Sequence, residues 1–134
     1  MCIRDSFSDS VRTIVQVMTT QGPDRLLVIG NSGVLPAPGG GYRFGENLTP
    51  PKSNLAAQHI RNYETLRDSS LRWTLMCPVW LKEEIPPGHA RCAYDDLPEG
   101  LGETGYADLA LTMVALIDTP ESVGRRVGII SGGD

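Results

Sequence analysis

The stretch Arg25-Leu26-Leu27-Val28-Ile29-Gly30-Asn31-Ser32-Gly33 decides the fold class of this chain. Its four consecutive apolar residues, Leu26 to Ile29, lie between a charged residue and a glycine-containing turn, which is typical of a short strand buried on both faces. Strands of this kind belong to parallel sheets that helices cover on both sides. The stretch therefore predicts an α/β protein.

The segments around this strand alternate between helix and strand patterns. Before it, Val11, Ile14, Val15 and Met18 recur at helical spacing. After it, the sequence predicts a helix over 54–69, a strand over 73–77, a hairpin or edge strand around 90–94, a helix over 106–118 and a strand over 126–131. Helix and strand in alternation predict right-handed crossovers, and hence a Rossmann-like three-layer α/β/α domain with a parallel sheet.

Composition limits the function classes. The 134 residues suffice for one domain, and a net charge of −4 with a pI near 5.1 argues against nucleic acid or an anionic membrane as partner. No apolar run approaches the roughly 20 residues of a membrane span. Cys2, Cys77 and Cys92 are widely spaced without a CxxC, so we expect no metal site and reduced thiols in the cytoplasm.

Candidate ligand residues follow two of the predicted strands. In open parallel sheets, ligands bind outside the carboxyl ends of the strands. That rule selects Asn31-Ser32-Gly33 and Pro78-Val79-Trp80, and His59 on the intervening helix could face the same crevice. Each has a structural alternative: Ser32 as a turn residue, His59 as an ordinary helix-surface histidine, and Trp80 as a hydrophobic plug over the sheet edge.

The sequence contains neither a Walker motif nor a GxSxG. A GxGxxG does occur, from Gly100 to Gly105, but no predicted strand precedes it directly, which a phosphate turn requires. The Gly39-Gly40-Gly41 triplet has no lysine after it and no strand directly before it, so we predict a flexible lid or edge segment over 36–52. Tyr63 and Arg67 form Tyr-x-x-x-Arg, and a Tyr-x-x-x-Lys pair, in which the lysine lowers the tyrosine pKa for proton transfer, is missing.

Four segments together resemble one family. They are residues 24–35, with the predicted turn that contains Ser32; residues 59–61 and 66–78, with His-Ile-Arg and Cys-Pro; residues 106–110; and residues 125–129. Their order and spacing resemble the C-terminal part of NmrA-like atypical short-chain dehydrogenases, which bind NAD(P)H, and most closely the biliverdin-IXβ reductase/flavin reductase-like branch.

The resemblance implies a Rossmann domain that binds NADP or NAD and transfers a hydride to a small, flat, unsaturated acceptor. By residue, Ser32 matches the family's active-site serine, Pro78 a proline near the nicotinamide, and His59 a helix histidine. We therefore expect Ser32 and His59 as catalytic residues, Asn31, Ser32, Gly33, Pro78 and Val79 at the cofactor, and Trp80 at the substrate. Trp80 replaces a histidine of the flavin-reductase pattern, which implies a different small-molecule substrate.

The family's first βαβ unit, with its Gly-rich phosphate turn, is absent from these 134 residues. Residues 1–7 resemble translated sequencing adapter at the edge of a metagenomic contig, so we predict a non-native leader, with a short disordered arm as the alternative. Residues 8–134 would then be the C-terminal part of a single NAD(P)-binding domain.

Three functional hypotheses stay open at this point. In the first, the full-length protein is a reductase; in the second, it is a non-catalytic NAD(P)-sensing regulator. The third concerns this fragment alone, which we expect to bind NADP weakly or not at all.

Overall fold

The computed structural model describes residues 6–45, 52–100 and 102–132. Within these ranges the elements, in chain order, are α1 (Ser6–Gln21), β1 (Arg25–Ile29), a 3₁₀ turn (Ser32–Val34), α2 (Lys52–Arg67), β2 (Arg72–Pro78), β3 (Leu81–Lys82), β4 (Ala90–Tyr94), β5 (Thr104–Gly105), α3 (Tyr106–Ile117), a second 3₁₀ turn (Pro120–Ser122) and β6 (Arg125–Ser131). Residues 1–5 of the predicted leader and 46–51 of the predicted lid lie outside the described residues.

The main sheet has four strands in the order β1-β2-β6-β4. β1, β2 and β6 are parallel, which confirms the predicted Rossmann-like arrangement. β4 runs antiparallel to β6 and forms one edge, so the sheet is mixed rather than wholly parallel. A two-stranded parallel sheet, β3 with β5, was not predicted, because two-residue strands have no periodicity to detect.

Helices cover both faces of the main sheet. On one face, α1 and α2 pack over a core that includes Val11, Leu66, Trp73 and Leu75. On the other face, α3 packs through Leu109 against Met76, Val127 and Ile129. Alternate residues of β2 thus enter opposite cores, which explains its continuous burial and its apolar sequence.

α2 begins at Lys52 and ends at Arg67, two residues earlier at each end than the sequence predicts. Its C-terminus is set by Ser69, whose backbone N–H and side-chain hydroxyl both donate to the Leu66 carbonyl, at 3.0 and 2.7 Å. A serine that satisfies a terminal carbonyl in this way competes with continued helix.

Arg25 joins β1 to the end of α3. Its Nε and one terminal nitrogen donate to the carbonyls of Ile117 and Leu116 at 3.1 and 2.7 Å. Its remaining contacts are the Arg72 carbonyl and the hydroxyls of Thr74 and Ser122. The guanidinium therefore caps α3 from the first residue of β1.

No helix within the described residues is long and apolar enough to cross a membrane.

Candidate cofactor-binding edge

The chain turns sharply at the carboxyl end of β1. The Gly30 N–H donates to the Met76 carbonyl at 2.6 Å, so the backbone stays beside β2 for one more residue. Asn31 is extended, and its side-chain Oδ1 accepts from the Gly33 N–H at 2.8 Å. This bond caps the 3₁₀ turn that follows and places the half-buried Ser32 at the end of the sheet.

The neighbouring strand ends at the same edge. Pro78 is buried and pairs in register with Ile129, while the Val79 N–H lies 3.4 Å from the Ile129 carbonyl, at the outer limit of a hydrogen bond. Trp80 follows, with 79% of its surface exposed. Its carbonyl accepts from the Thr104 N–H at 2.8 Å, which anchors this segment to β5 while its indole faces outward.

Phe44 covers the turn after β1. Its N–H donates to the Gly33 carbonyl at 2.8 Å, and its ring lies so close that a Cβ on Gly33 would come within 2.4 Å of two ring carbons. The described part of the predicted lid, residues 36–45, thus lies against the turn at the carboxyl end of β1. Within it, Pro36 and Tyr42 form an isolated antiparallel β-bridge.

His59 lies behind this layer, buried at 8% exposure. Its ring stacks on Phe44, with centroids 6.2 Å apart, and meets Phe7 edge-on at 5.3 Å. Its Nδ1 has no hydrogen-bond partner among the described residues, and burial lowers the pKa of the imidazole below its ordinary 6.5. The side chain is therefore a neutral imidazole packed between two aromatic rings.

Arg126 contacts the 3₁₀ turn that follows β1. It reaches from β6 to donate to the Val34 carbonyl at 3.0 Å, with its guanidinium 4.2 Å from the ring centroid of Tyr63. Asp95 lies 3.8 Å away on the other side. The half-buried Arg126 thus links β6 and Asp95 to the turn that follows β1.

An apolar cavity of about 310 Å³ opens on the α3 face of this edge. Its lining is Ile29, Leu81, Tyr106, Leu109, Ala110 and Met113. Trp80 is not among these residues, although the sequence placed it at the substrate. The cavity carries no charged lining group, so it suits an uncharged, largely apolar molecule.

The structure brings some of the predicted site residues together and separates others. Asn31, Ser32 and Gly33 share one sheet edge with Pro78 and Val79, because parallel neighbours end side by side. His59 lies behind the Phe44 ring instead of in an open crevice. Sequence reasoning missed both aromatic partners of His59: Phe44 lies in a loop without periodicity, and Phe7, at the end of the predicted leader, is the second residue of α1.

The two cysteines within the described residues differ in exposure. Cys77 is buried, and burial raises the pKa of its thiol to about 12, so it is protonated and inaccessible at neutral pH. Cys92 is exposed on β4, although partial burial raises the pKa of its thiol. No group of three potential metal ligands occurs in the described ranges.

A mostly parallel sheet between helices defines a Rossmann-like α/β fold, in which ligands bind at the carboxyl ends of the strands. Residues 3–120 match the sequence model of the NAD(P)H-binding family, and the chain belongs to that family. No curated protein sequence matches the chain.

Solved structures share the fold at low identity. A candidate NADH-flavin reductase from Streptococcus pneumoniae is 18% identical with a TM-score of 0.78, over 98% of this chain and 68% of its own. ChuY, an anaerobillin reductase from Escherichia coli O157:H7, is 16% identical with a TM-score of 0.71, over 96% and 60%. A Rossmann-fold NAD(P)-binding family protein from Shigella flexneri is 21% identical with a TM-score of 0.65, over 96% and 56%. The chain thus spans little more than half of two of these proteins.

The two ends of a nicotinamide dinucleotide fit these residues differently. The nicotinamide end needs an apolar surface with a few polar groups, which Ile29, Ser32 and Val79 provide at the sheet edge. The diphosphate needs a helix N-terminus free of negative charge. Asp9 and Asp108 lie in the first turns of α1 and α3, so neither of these helices fits it, whereas the first turn of α2 carries no acidic residue.

Proposed function

We propose that this chain carries the nicotinamide and substrate end of an NAD(P)H-dependent oxidoreductase that reduces a small, flat, unsaturated acceptor. The observation that supports this most is the placement of Asn31-Ser32-Gly33 and Pro78-Val79 at adjacent carboxyl ends of β1 and β2. That is where open α/β sheets bind ligands, and membership of the NAD(P)H-binding family supplies the class of ligand.

In this proposal, residues of the edge hold the nicotinamide. When bound, the reduced ring supplies a hydride. The Val79 N–H is bonded only weakly to the Ile129 carbonyl, at 3.4 Å, and is therefore the donor that a carboxamide oxygen would recruit. Ser32 lies in the turn that follows β1 at the same end of the sheet, and the exposed Trp80 offers an aromatic face to a flat acceptor.

Reduction of a conjugated acceptor also needs a proton. Ser32 and solvent can supply it at the edge itself. His59 is the weaker donor of the three, because its imidazole is buried and its pKa is lowered. Its packing against Phe44 favours a role in positioning the turn that carries Ser32.

The diphosphate contacts would come from the Gly-rich turn of a first βαβ unit, which the 134 residues do not contain. We therefore expect this chain to bind NADP weakly or not at all, with NAD-versus-NADP choice made outside it. Micromolar binding of NADP would contradict this part of the proposal.

A ligand that carries only the nicotinamide half of the cofactor tests whether this chain binds that half and not the adenosine half. Isothermal titration of the chain with reduced nicotinamide mononucleotide and with NADPH should give similar weak affinities, because the adenosine half finds no partner. NADPH binding that is a hundredfold tighter would show that the phosphate and adenosine contacts are present. The same samples should show acceptor-dependent loss of absorbance at 340 nm with quinones or flavins at high cofactor concentration.

Ser32→Ala is the variant for the edge, and Ser70→Ala, an exposed serine between α2 and β2, is its matched control. Ser32→Ala should weaken mononucleotide binding or slow turnover severalfold, whereas Ser70→Ala should change neither. Equal behaviour of the two variants would remove Ser32 from the site.

One observation favours the sensor alternative. The buried, neutral His59 leaves the edge without an obvious ionisable proton donor. A sensor would bind oxidised and reduced cofactor with similar affinity and without turnover, which calorimetry on a full-length relative distinguishes from a reductase.

A further inference from the structure

Three buried polar atoms on one turn of α2 have no hydrogen-bond partner among the described residues. They are Nδ1 of His59 and both polar side-chain atoms, Oδ1 and Nδ2, of Asn62. Asn62 is 1% exposed and His59 8%, so bulk water does not reach these atoms. An unpaired polar group at such depth costs free energy, and folded proteins satisfy nearly all of them. These three atoms therefore require a common explanation.

Helix geometry places the two side chains next to each other. His59 and Asn62 are three positions apart in α2, and Cβ atoms at this spacing are about 5–6 Å apart. Helical side chains lean toward the N-terminus, so the amide of Asn62 extends over the turn that carries His59. Two hydrogen bonds of about 2.8 Å each span such a separation through one small molecule.

The surroundings of the imidazole are closed and uncharged. The His59 ring lies between the rings of Phe44 and Phe7. Burial is what lowers the pKa of His59, and within the described residues no charged side chain contributes to that shift. A molecule beside Nδ1 must therefore be small and electrically neutral.

Asn62 faces the helix that packs against α2. Gln58, one turn earlier, accepts hydrogen bonds from the N–H groups of Phe7 and Ser8 in the first turn of α1, at 3.1 and 3.2 Å. Residues four apart share a helix face, so Asn62 lies on the same α1-facing side of α2. The amide is thus enclosed between the two helices rather than directed to the surface.

We propose that Asn62 and His59 bind one internal water molecule in the α1–α2 interface. The water accepts from Nδ2–H of Asn62, donates one hydrogen to Oδ1 of the same amide and donates the other to Nδ1 of His59. It makes three hydrogen bonds, the usual number for a buried water, and all three unpaired atoms are satisfied. An anion would satisfy only the amide donor, and a cation only the acceptors. The proposal does not depend on the redox function.

This water also determines the tautomer of His59. With Nδ1 as the acceptor, the imidazole proton is on Nε2. A proton on Nδ1 would make the water accept twice and would leave one of its own hydrogens unpaired in a closed site. Asn62 is therefore a positioning residue for the ring that stacks on Phe44, which in turn is hydrogen-bonded to Gly33.

Nuclear magnetic resonance of the whole chain tests the site without any variant. Long-range ¹H–¹⁵N correlation of the neutral imidazole should show the Nε2–H tautomer of His59. The side-chain amide protons of Asn62 should show a nuclear Overhauser effect to water with the sign of a long-lived internal molecule. A predominant Nδ1–H tautomer overturns the proposal, as does the absence of the water signal at Asn62.

Asn62→Leu removes the amide at nearly constant volume. It should lower the midpoint of urea unfolding and give His59 a mixture of tautomers, because Nδ1 loses its donor. Asn54→Leu, at a half-buried asparagine of the same helix, is the matched control and should leave the tautomer unchanged. A higher midpoint in Asn62→Leu overturns the proposal, since an amide without any partner is stabilised by an apolar replacement.

A double variant separates the shared water from two independent losses. Asn62→Leu combined with His59→Phe should lower the urea midpoint by less than the sum of the two single changes, because neither partner is then left unpaired. Additive losses contradict a shared water. If Asn62→Leu does not fold, the tautomer and the water signal of the unmodified chain decide the question.

Discussion

Gly33 and Phe44 pack against each other without space for a side chain at position 33. A Cβ there would lie 2.4 Å from two carbons of the Phe44 ring, far inside van der Waals contact, and the Phe44 N–H donates to the Gly33 carbonyl. The turn that follows β1 is thereby fixed to the loop that covers it. The absence of a Cβ at position 33 is thus a packing requirement rather than a requirement for unusual backbone angles.

Gly33→Ala should destabilise the fold by about 1–3 kcal/mol, because the ring or the turn must move. Urea unfolding measures the change. In a double-mutant cycle with Phe44→Ala, the alanine at position 33 should cost much less when the ring is gone, with a coupling of about 1 kcal/mol or more. Additive effects would mean that the two residues do not contact each other in solution.

Arg126 provides the second support of the same turn, through its bond to the Val34 carbonyl and its position over Tyr63. Arg126→Met should lower the free energy of unfolding by about 1–2 kcal/mol, because a buried carbonyl loses its charged donor. Arg125→Met, at the exposed neighbouring arginine, should change it by no more than about 0.5 kcal/mol. Equal losses in the two variants would refute the supporting role.

Asp108 should make stability depend on pH in the acid range. Burial works to raise the pKa of this carboxyl, but hydrogen bonds from Ser131, Gly88 and His89 outweigh it and hold the pKa below the usual value. The stabilisation is therefore present above the unfolded pKa of about 3.9 and is lost as the pH falls through the folded pKa.

Asp108→Asn should thus cost about 1–2 kcal/mol at pH 7 and progressively less below pH 4, as measured by urea unfolding across pH. The exposed Glu83→Gln is the control and should show no such convergence. A cost that is constant from pH 7 to pH 3 would show that the carboxylate charge is not what Ser131 and Gly88 bind.

The buried imidazole of His59 should also make stability depend on pH, but nearer neutrality than Asp108 does. Since burial lowers its folded pKa below 6.5, the unfolded state takes up a proton first, and stability falls as the pH drops below 6.5. Carbon-bound imidazole proton shifts should titrate below pH 6.5, with His89→Gln used for assignment. His59→Phe should remove this part of the pH dependence, and a titration midpoint above 6.5 would contradict the buried position.

Much of the fold could be predicted because periodicity and burial are local signals. The run Leu26–Ile29 indicated a parallel sheet, and β1, β2 and β6 are parallel as expected. α3 ends one residue before its predicted limit. The antiparallel direction of β4 was beyond this reasoning, because strand direction is set by the connections and not by the strand's own residues.

The position of the candidate cofactor-binding site could also be predicted in part. The rule that ligands bind at the carboxyl ends of parallel strands selected the segments after β1 and β2. It could not predict that His59 is enclosed, because that depends on Phe7 and Phe44, which lie 52 and 15 residues away in sequence and reach it only through the tertiary fold. Nor could spacing show that Leu81, not Trp80, lines the apolar cavity.

The clamp that Arg25 forms on the end of α3 has a consequence for how the protein opens. The last carbonyls of α3 are satisfied by a residue more than 90 positions earlier in the chain. Fraying of that helix end would break two of the guanidinium's hydrogen bonds, and detachment of β1 would uncap the helix. The last turn of α3 and the start of β1 therefore form one cooperative unit, whose amides should share a single opening free energy.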